Sequence, residues 1–204
     1  MTFGKREKRL PGIRLAVIPL ILLLVVSIAW IVTVAVRTPP ARLPDTSGWN
    51  SGDIFFSVGN SWESVAVRSI SSVKGAAVTD STPSHCGFVL RDSTSVQLVH
   101  ASTSAGRIVA ETPEEYFRNN GSYCLYALPA PAVINTLRLR ADIDSMLRCG
   151  IPFDFNFDHT DASALYCTEF VIEMLELNGI YSLSGLRSHS YIYPEDIAKK
   201  CFRE

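Results

Sequence analysis

Ala162–Leu177 reads ASALYCTEFVIEMLEL, and its periodicity is that of a helix packed along one side. Cys167, Phe170, Val171 and Met174 fall at i, i+3, i+4 and i+7 and form an apolar face. Glu169, Glu173 and Glu176 form a stripe expected to face solvent. Thr160 or Asp161 can open the helix, and Asn178-Gly179 closes it. Cys167 then lies in the first or second turn, where the helix N-terminus favours negative charge and lowers a thiol pKa. A lone cysteine on an apolar face is more often a small core residue. The strands that precede it change that balance.

His85–Arg91 (HCGFVLR) and Ser95–Ala101 (SVQLVHA) read as strands joined in a hairpin. With the turn centred between Asp92 and Ser93, His85 faces His100 directly on one side of the ladder. Cys86 points to the opposite face by the two-residue period. A cysteine at a helix start, a histidine on a strand and a second polar group orienting that histidine form an activated nucleophile, with helix N–H groups available to an oxyanion. Cys167, His85 and His100 are the candidate catalytic residues.

Around this pair the pattern is mixed. Asp53–Val58, Arg107–Ala110 and Tyr123–Leu128 read as strands. A helix follows Asn60 and Ser61, with Trp62, Ala66, Ile70 and Val73 at helical spacing, and Gly75–Pro83 is loop. A short helix runs from Thr112-Pro113-Glu114-Glu115 to near Phe117, a longer one spans Ala132–Arg148, and a last one begins at Pro194-Glu195-Asp196. Antiparallel strands flanked by helices indicate an α+β domain.

The N-terminus differs. Lys5, Arg6, Lys8, Arg9 and Arg14 against Glu7 give the first fourteen residues a charge of +4, within a chain of 204 residues and net charge −1. This balance speaks against nucleic-acid binding. Leu15–Val36 is 22 uncharged residues; as a helix it rises roughly 33 Å, a bilayer span. It is too long for a signal-peptide core, Arg37-Thr38-Pro39-Pro40 is a poor cleavage site, and no cysteine is near the exit for a lipoprotein anchor. The division expected is 1–14 cytoplasmic basic segment, 15–36 transmembrane signal anchor, 37–48 linker and 49–204 globular domain. The Lys/Arg bias keeps the N-terminus cytoplasmic and sends the domain to the periplasmic or extracellular side of the inner membrane.

Gly52-Asp53-Ile54-Phe55-Phe56, Ser84-His85-Cys86-Gly87-Phe88-Val89, Val99-His100-Ala101, Pro152-Phe153-Asp154-Phe155 and Tyr166-Cys167-Thr168-Glu169-Phe170-Val171 occur in that order. The set resembles the permuted NlpC-type papain-like hydrolases, the YiiX/YaeF/YebB-like branch. The matching blocks run from about Trp49 to Asn178, and Tyr193-Pro194-Glu195-Asp196-Ile197 is similar to the family's closing segment. The resemblance implies a circularly permuted papain-like (NlpC-type) fold, with the cysteine helix packed on an antiparallel barrel-like sheet. It implies Cys167 as nucleophile, His85 as base and His100 in the place of the third polar group, often Glu in this branch. Thr168 stands where Ser is more usual. The implied reaction is cleavage of an amide through an acyl-thioester; on the outer side of a bacterial membrane, peptidoglycan peptides are the expected substrates. A lipid-directed thiol hydrolase or acyltransferase, and an inactive binding domain of the same fold, are the alternatives.

Glu169 reads as structural or supporting, and Asp154 as shaping the loop before the cysteine helix. His159 and His189 have no assigned role. No cofactor and no metal is expected: His85, Cys86, His100 and Cys167 contain no short ligand pair. Cys86, Cys124, Cys149 and Cys201 leave three full disulfide pairings open.

Overall fold

The structure is a computed structural model that describes residues 13–36, 43–73, 82–158, 160–161, 163–188 and 191–201, with backbone alone at 13–18, 31–36, 62 and 71–73. The chain divides into two units, Met1–Arg37 and Thr38–Glu204. The first holds α1 (Ile13–Val36), a helix of 24 residues. Side chains are described for 19–30 of it, all exposed; over residues described to that depth, no helix is long and apolar enough to cross a membrane. Most of the basic segment 1–14, linker residues 37–42, most of the 75–83 loop, His159 and His189 lie outside the described residues.

The second unit is an α+β domain. Its elements are β1 (Ile54–Gly59), α2 (Trp62–Val73), β2 (His85–Arg91), β3 (Val96–Ser102), β4 (Arg107–Glu111), α3 (Pro113–Asn120), β5 (Ser122–Leu128), α4 (Thr136–Cys149), α5 (Cys167–Leu177), a 3-10 turn at Ser184–Ser188, and α6 (Pro194–Cys201). The five strands form one antiparallel sheet in the order β4-β3-β2-β1-β5. Among the described residues β4 and β5 do not pair with each other, so the sheet stays open where a barrel-like closure was expected.

Both sheet faces are covered. Ile54, Phe56, Cys86, Phe88 and Val99 share one core with Phe170, Val171 and Met174 of α5. Phe55, Val89, Leu98 and Leu125 share the other with Tyr116 of α3. This double burial explains the nearly unbroken apolar runs of β1 and β2.

Three expected boundaries move. α4 begins at Thr136, capped by Asn135, whose side chain accepts from the Arg138 N–H; residues 132–135 stay outside it. α3 runs one turn beyond Phe117, to Asn120, held by a Thr112/Glu115 capping box and ended by Gly121 at φ 57°. α5 begins at Cys167, not Ala162, because Leu165 is claimed by the chain before it. Leu165 bridges Phe153 in parallel, donates to the Pro152 carbonyl at 3.0 Å and accepts from the Asp154 N–H at 3.2 Å. An extended residue so held cannot enter a helix.

Candidate active site

The β2–β3 hairpin positions the imidazoles, in a register different from the expected one. Phe88 pairs with Val99 and Arg91 with Val96, which sets His100 opposite Gly87 and makes His85 its diagonal neighbour. The connection is a four-residue loop, not a two-residue turn. Asp92 accepts from the N–H groups of Thr94 at 3.0 Å and Ser95 at 2.8 Å, and its own N–H donates to the Ser95 carbonyl at 3.0 Å. A shift of two residues keeps both histidines on one face. Their contact is direct, His85 Nε2 to His100 Nδ1 at 2.9 Å.

Gly87 makes that diagonal contact possible. A Cβ there would lie 2.6 Å from the Phe55 ring and 2.9 Å from Cβ of His100. Phe55 and Tyr116 wall in the fully buried His100 with edge-on rings at 6.1 and 4.9 Å. The Tyr116 hydroxyl is tied to Ser57 Oγ at 2.6 Å.

The chain of polar contacts continues to a residue the sequence reading did not single out. His100 Nε2 meets Glu111 Oε2 at 3.0 Å. Asn119 donates to the other oxygen of Glu111 at 2.6 Å, and Asn120 to the first at 3.1 Å. Burial pushes the His100 pKa down to about 4, and the bond to His100 pulls Glu111 down to about 2. His100 is therefore neutral beside a carboxylate. Its proton sits on Nε2, so its Nδ1 must accept from His85 Nε2–H. With Nε2–H so engaged, His85 keeps Nδ1 as the nitrogen that can take or give a proton.

Cys167 is the first residue of α5. It lines one cleft with His85 and packs against the core that holds Cys86; the neighbouring Cys86 thiol and the charge of His85 hold the Cys167 thiol well below its ordinary value, against the opposing effect of burial. Cys86 is pushed well above its ordinary value by burial and stays a thiol donor. Cys86 does face away from the His85 side, as alternation requires. That face is the one α5 packs on, so Cys86 neighbours the nucleophile and is not remote from it. The N-cap Tyr166 makes no side-chain bond to the first turn, so no capping oxygen competes for donors an oxyanion would use. Thr168 anchors the turn through Oγ1 to the Ile192 carbonyl at 2.9 Å.

Glu169 departs from its expected place in a solvent stripe, being 1% exposed. Burial raises its pKa to about 7, against the pull of Arg187, which lies 3.8 Å from Oε1. Glu173 and Glu176 hold the same guanidinium at 2.8 and 3.1 Å. Asp154 accepts from the N–H groups of Asn156 and Asp158 and so shapes the 153–158 loop.

Cys167 and His85 open into a cleft of about 530 Å³, a size suited to a small ligand. Among the described residues no group of three or more His, Cys, Asp and Glu side chains is placed to hold a metal ion, and all five cysteines are free thiols.

No family model and no curated protein matches the chain. Among solved structures it is similar to the metalloprotein yiiX from Escherichia coli O157:H7, at 19% identity and a TM-score of 0.49, over 63% of this chain and 66% of that one. The chain thus spans just under two thirds of that protein's length.

Proposed function

We propose that this chain is a membrane-anchored cysteine hydrolase of papain-like type that cleaves an amide through an acyl-thioester. The supporting observation is the unbroken series Cys167, His85, His100, Glu111, with the sulfur at a helix N-terminus. His85 Nδ1 takes the Cys167 thiol proton, the resulting thiolate attacks the carbonyl carbon, and first-turn N–H groups receive the oxyanion. The C–N bond breaks as His85 gives its proton to the leaving amine. His85 then takes a proton from water, whose oxygen attacks the thioester; the acid leaves and the sulfur is restored. Positive charge on His85 is met through His100 by the Glu111 carboxylate.

The anchor is α1, where the Ser27 hydroxyl returns to the Leu23 carbonyl at 2.8 Å and so needs no water. A domain tethered on the outer side of a bacterial membrane meets peptidoglycan peptides. A second reading, hydrolysis or transfer of lipid acyl groups, is favoured by two exposed phenylalanines, Phe155 and Phe157, beside the nucleophile.

Iodoacetamide labelling tests the nucleophile. Cys167 should label near neutral pH faster in the native than in the unfolded protein, and His85→Ala should slow it. Equal native and unfolded rates refute the assignment. Product analysis on purified cell wall against lipid extract separates the two substrate readings.

A further inference from the structure

The cleft has two unlike walls. On the imidazole side stand Ser84, Ser122, Asn119 and Asn120, and the ring contacts of His85 are to Phe55, His100 and Tyr116. On the other side stand Phe153, Phe155 and Phe157. Phe153 packs against both of the others, at 4.9 and 6.1 Å, and Phe157 packs on Tyr166, the residue before the nucleophile, at 5.4 Å.

These rings are held where they are at a cost. Phe155 is 64% and Phe157 40% exposed, which leaves apolar surface in water beside the reactive sulfur. Phe157 has φ 56°, the one positive φ outside glycine among the described residues. For a bulky side chain that backbone is strained, and strain of this kind gathers at ligand sites. The buried Asp154 clamps the loop through the Asn156 and Asp158 N–H groups, and the Phe153–Leu165 bridge fixes it to the start of α5. Among the described lining residues there is no Lys or Arg, and the only carboxylate is Glu63.

From this arrangement we infer that Phe153, Phe155 and Phe157 form the acyl-side specificity subsite, taking an uncharged aliphatic or aromatic acyl group. The inference rests on the thiol-hydrolase reading for its orientation. The leaving amine must lie within reach of His85, which protonates it, so the leaving group occupies the polar wall. The acyl remainder extends from the sulfur in the other direction, over Tyr166 and onto the rings. An anionic acyl group finds no cation among the described lining residues. This ranks apolar acyl amides and esters above the acidic acyl groups of wall peptides.

The test uses the full-length chain in phosphatidylcholine nanodiscs and three p-nitrophenyl esters: acetate, hexanoate and monosuccinate. Each desolvated methylene is worth roughly 3- to 4-fold. With partial burial in an open cleft, kcat/KM for hexanoate should exceed that for acetate by about 20-fold or more, and monosuccinate should be the poorest. Phe155→Ser and Phe157→Gly should each bring the hexanoate-to-acetate ratio below about 5. Phe157→Gly relieves the backbone strain, so loss of the ratio there is not loss of folding. In parallel, N-hexyl iodoacetamide is compared with iodoacetamide for labelling at Cys167, read by mass spectrometry. A preference for the hexyl reagent that both variants lose supports the subsite even when no ester is turned over; that combination overturns the hydrolase reading alone. Cys167-dependent turnover with equal rates for acetate and hexanoate overturns the subsite and leaves the hydrolase. Absence of both the ester ratio and the labelling preference overturns the subsite.

Discussion

Gly87→Ala tests the fold and the site in one substitution. Gly87 lies between Phe55 of β1 and His100 of β3, on the face that carries the imidazoles. A methyl group there would stand 2.3 Å from the Val99 carbonyl oxygen, 2.6 Å from Phe55 Cε1 and 2.9 Å from His100 Cβ. The ring could turn, but the carbonyl belongs to the β2–β3 ladder and cannot. The two strands must part by several tenths of an ångström, and the 2.9 Å His85–His100 bond lengthens with them. Overpacking costs about 1–3 kcal/mol; with backbone as the obstacle, the upper end applies. At roughly 2–4 °C per kcal/mol for a domain of this size, Tm should fall by about 6–12 °C. Circular dichroism melting of the full-length chain measures this. Iodoacetamide labelling of Cys167, followed in the still-folded variant at low temperature, should slow as well. A Tm within about 2 °C of the parent and an unchanged labelling rate would refute both the register and the role given to the empty position.

Further outcomes follow from the charges on Glu111, Cys167 and Glu169. Glu111→Gln should slow Cys167-dependent chemistry at least about tenfold, since His85 loses the carboxylate that answers its charge. The stability the Glu111 carboxylate gives is present above its ordinary pKa of 4.5 and lost as pH falls towards about 2, so melting of Glu111→Gln between pH 5 and 2 should be flatter than that of the parent. Alkylation of Cys167 should persist below pH 7, because its thiol is held well below the ordinary 9.0; a rate that drops tenfold per pH unit from pH 8 downwards would show an ordinary thiol. Glu169 titrates near 7 in the fold against an ordinary 4.5, so the native state holds its proton more tightly and stability falls as pH rises through that interval. Glu169→Gln should remove this fall, on the order of 1–3 kcal/mol, seen as Tm measured from pH 5 to 8.

Much of the domain was legible from period and punctuation, because local rules decided it. The five strands and α2 fall within a residue or two of their expected places, where apolar runs end at Gly, Pro and Ser. What failed was decided by distant groups or by unrecognised turn chemistry. Asp92-Ser93-Thr94-Ser95 was legible as a loop in which an aspartate caps two following N–H groups; read so, it would have given the true register. Glu111 was missed because it ends an edge strand, where a glutamate is ordinarily solvated, and nothing local tells that Asn119 and Asn120 return at the end of α3 to hold it. Glu169 looked solvated because it shares a helical stripe with Glu173 and Glu176. It is buried because Asp154, Arg187 and the first turn of α5 meet there, a fact of tertiary structure alone.

The later start of α5 bears most on the chemistry. Alternation along β2 sends His85 and Cys86 to opposite faces, yet Cys167 lines one cleft with His85 and packs against the core that holds Cys86. That is possible only off the end of the strand, beyond the first residue of β2, where neither face excludes the other. A helix begun at residue 162 would carry Cys167 inward by more than a turn, over the sheet, where Phe170 already lies edge-on to Phe88 at 6.0 Å. There it would be the inert core thiol that its apolar neighbours suggest. The parallel bridge of Leu165 to Phe153 holds the chain extended to Tyr166 and places the sulfur at the helix mouth, with N–H dipoles behind it and imidazole beside it. The same bridge brings the Phe153–Phe157 loop alongside. The residues that delay the helix therefore set both the ionisation of the thiol and the wall its acyl group meets, so a substitution that frees Leu165, such as Leu165→Asn, should depress labelling at Cys167 and the hexyl preference together.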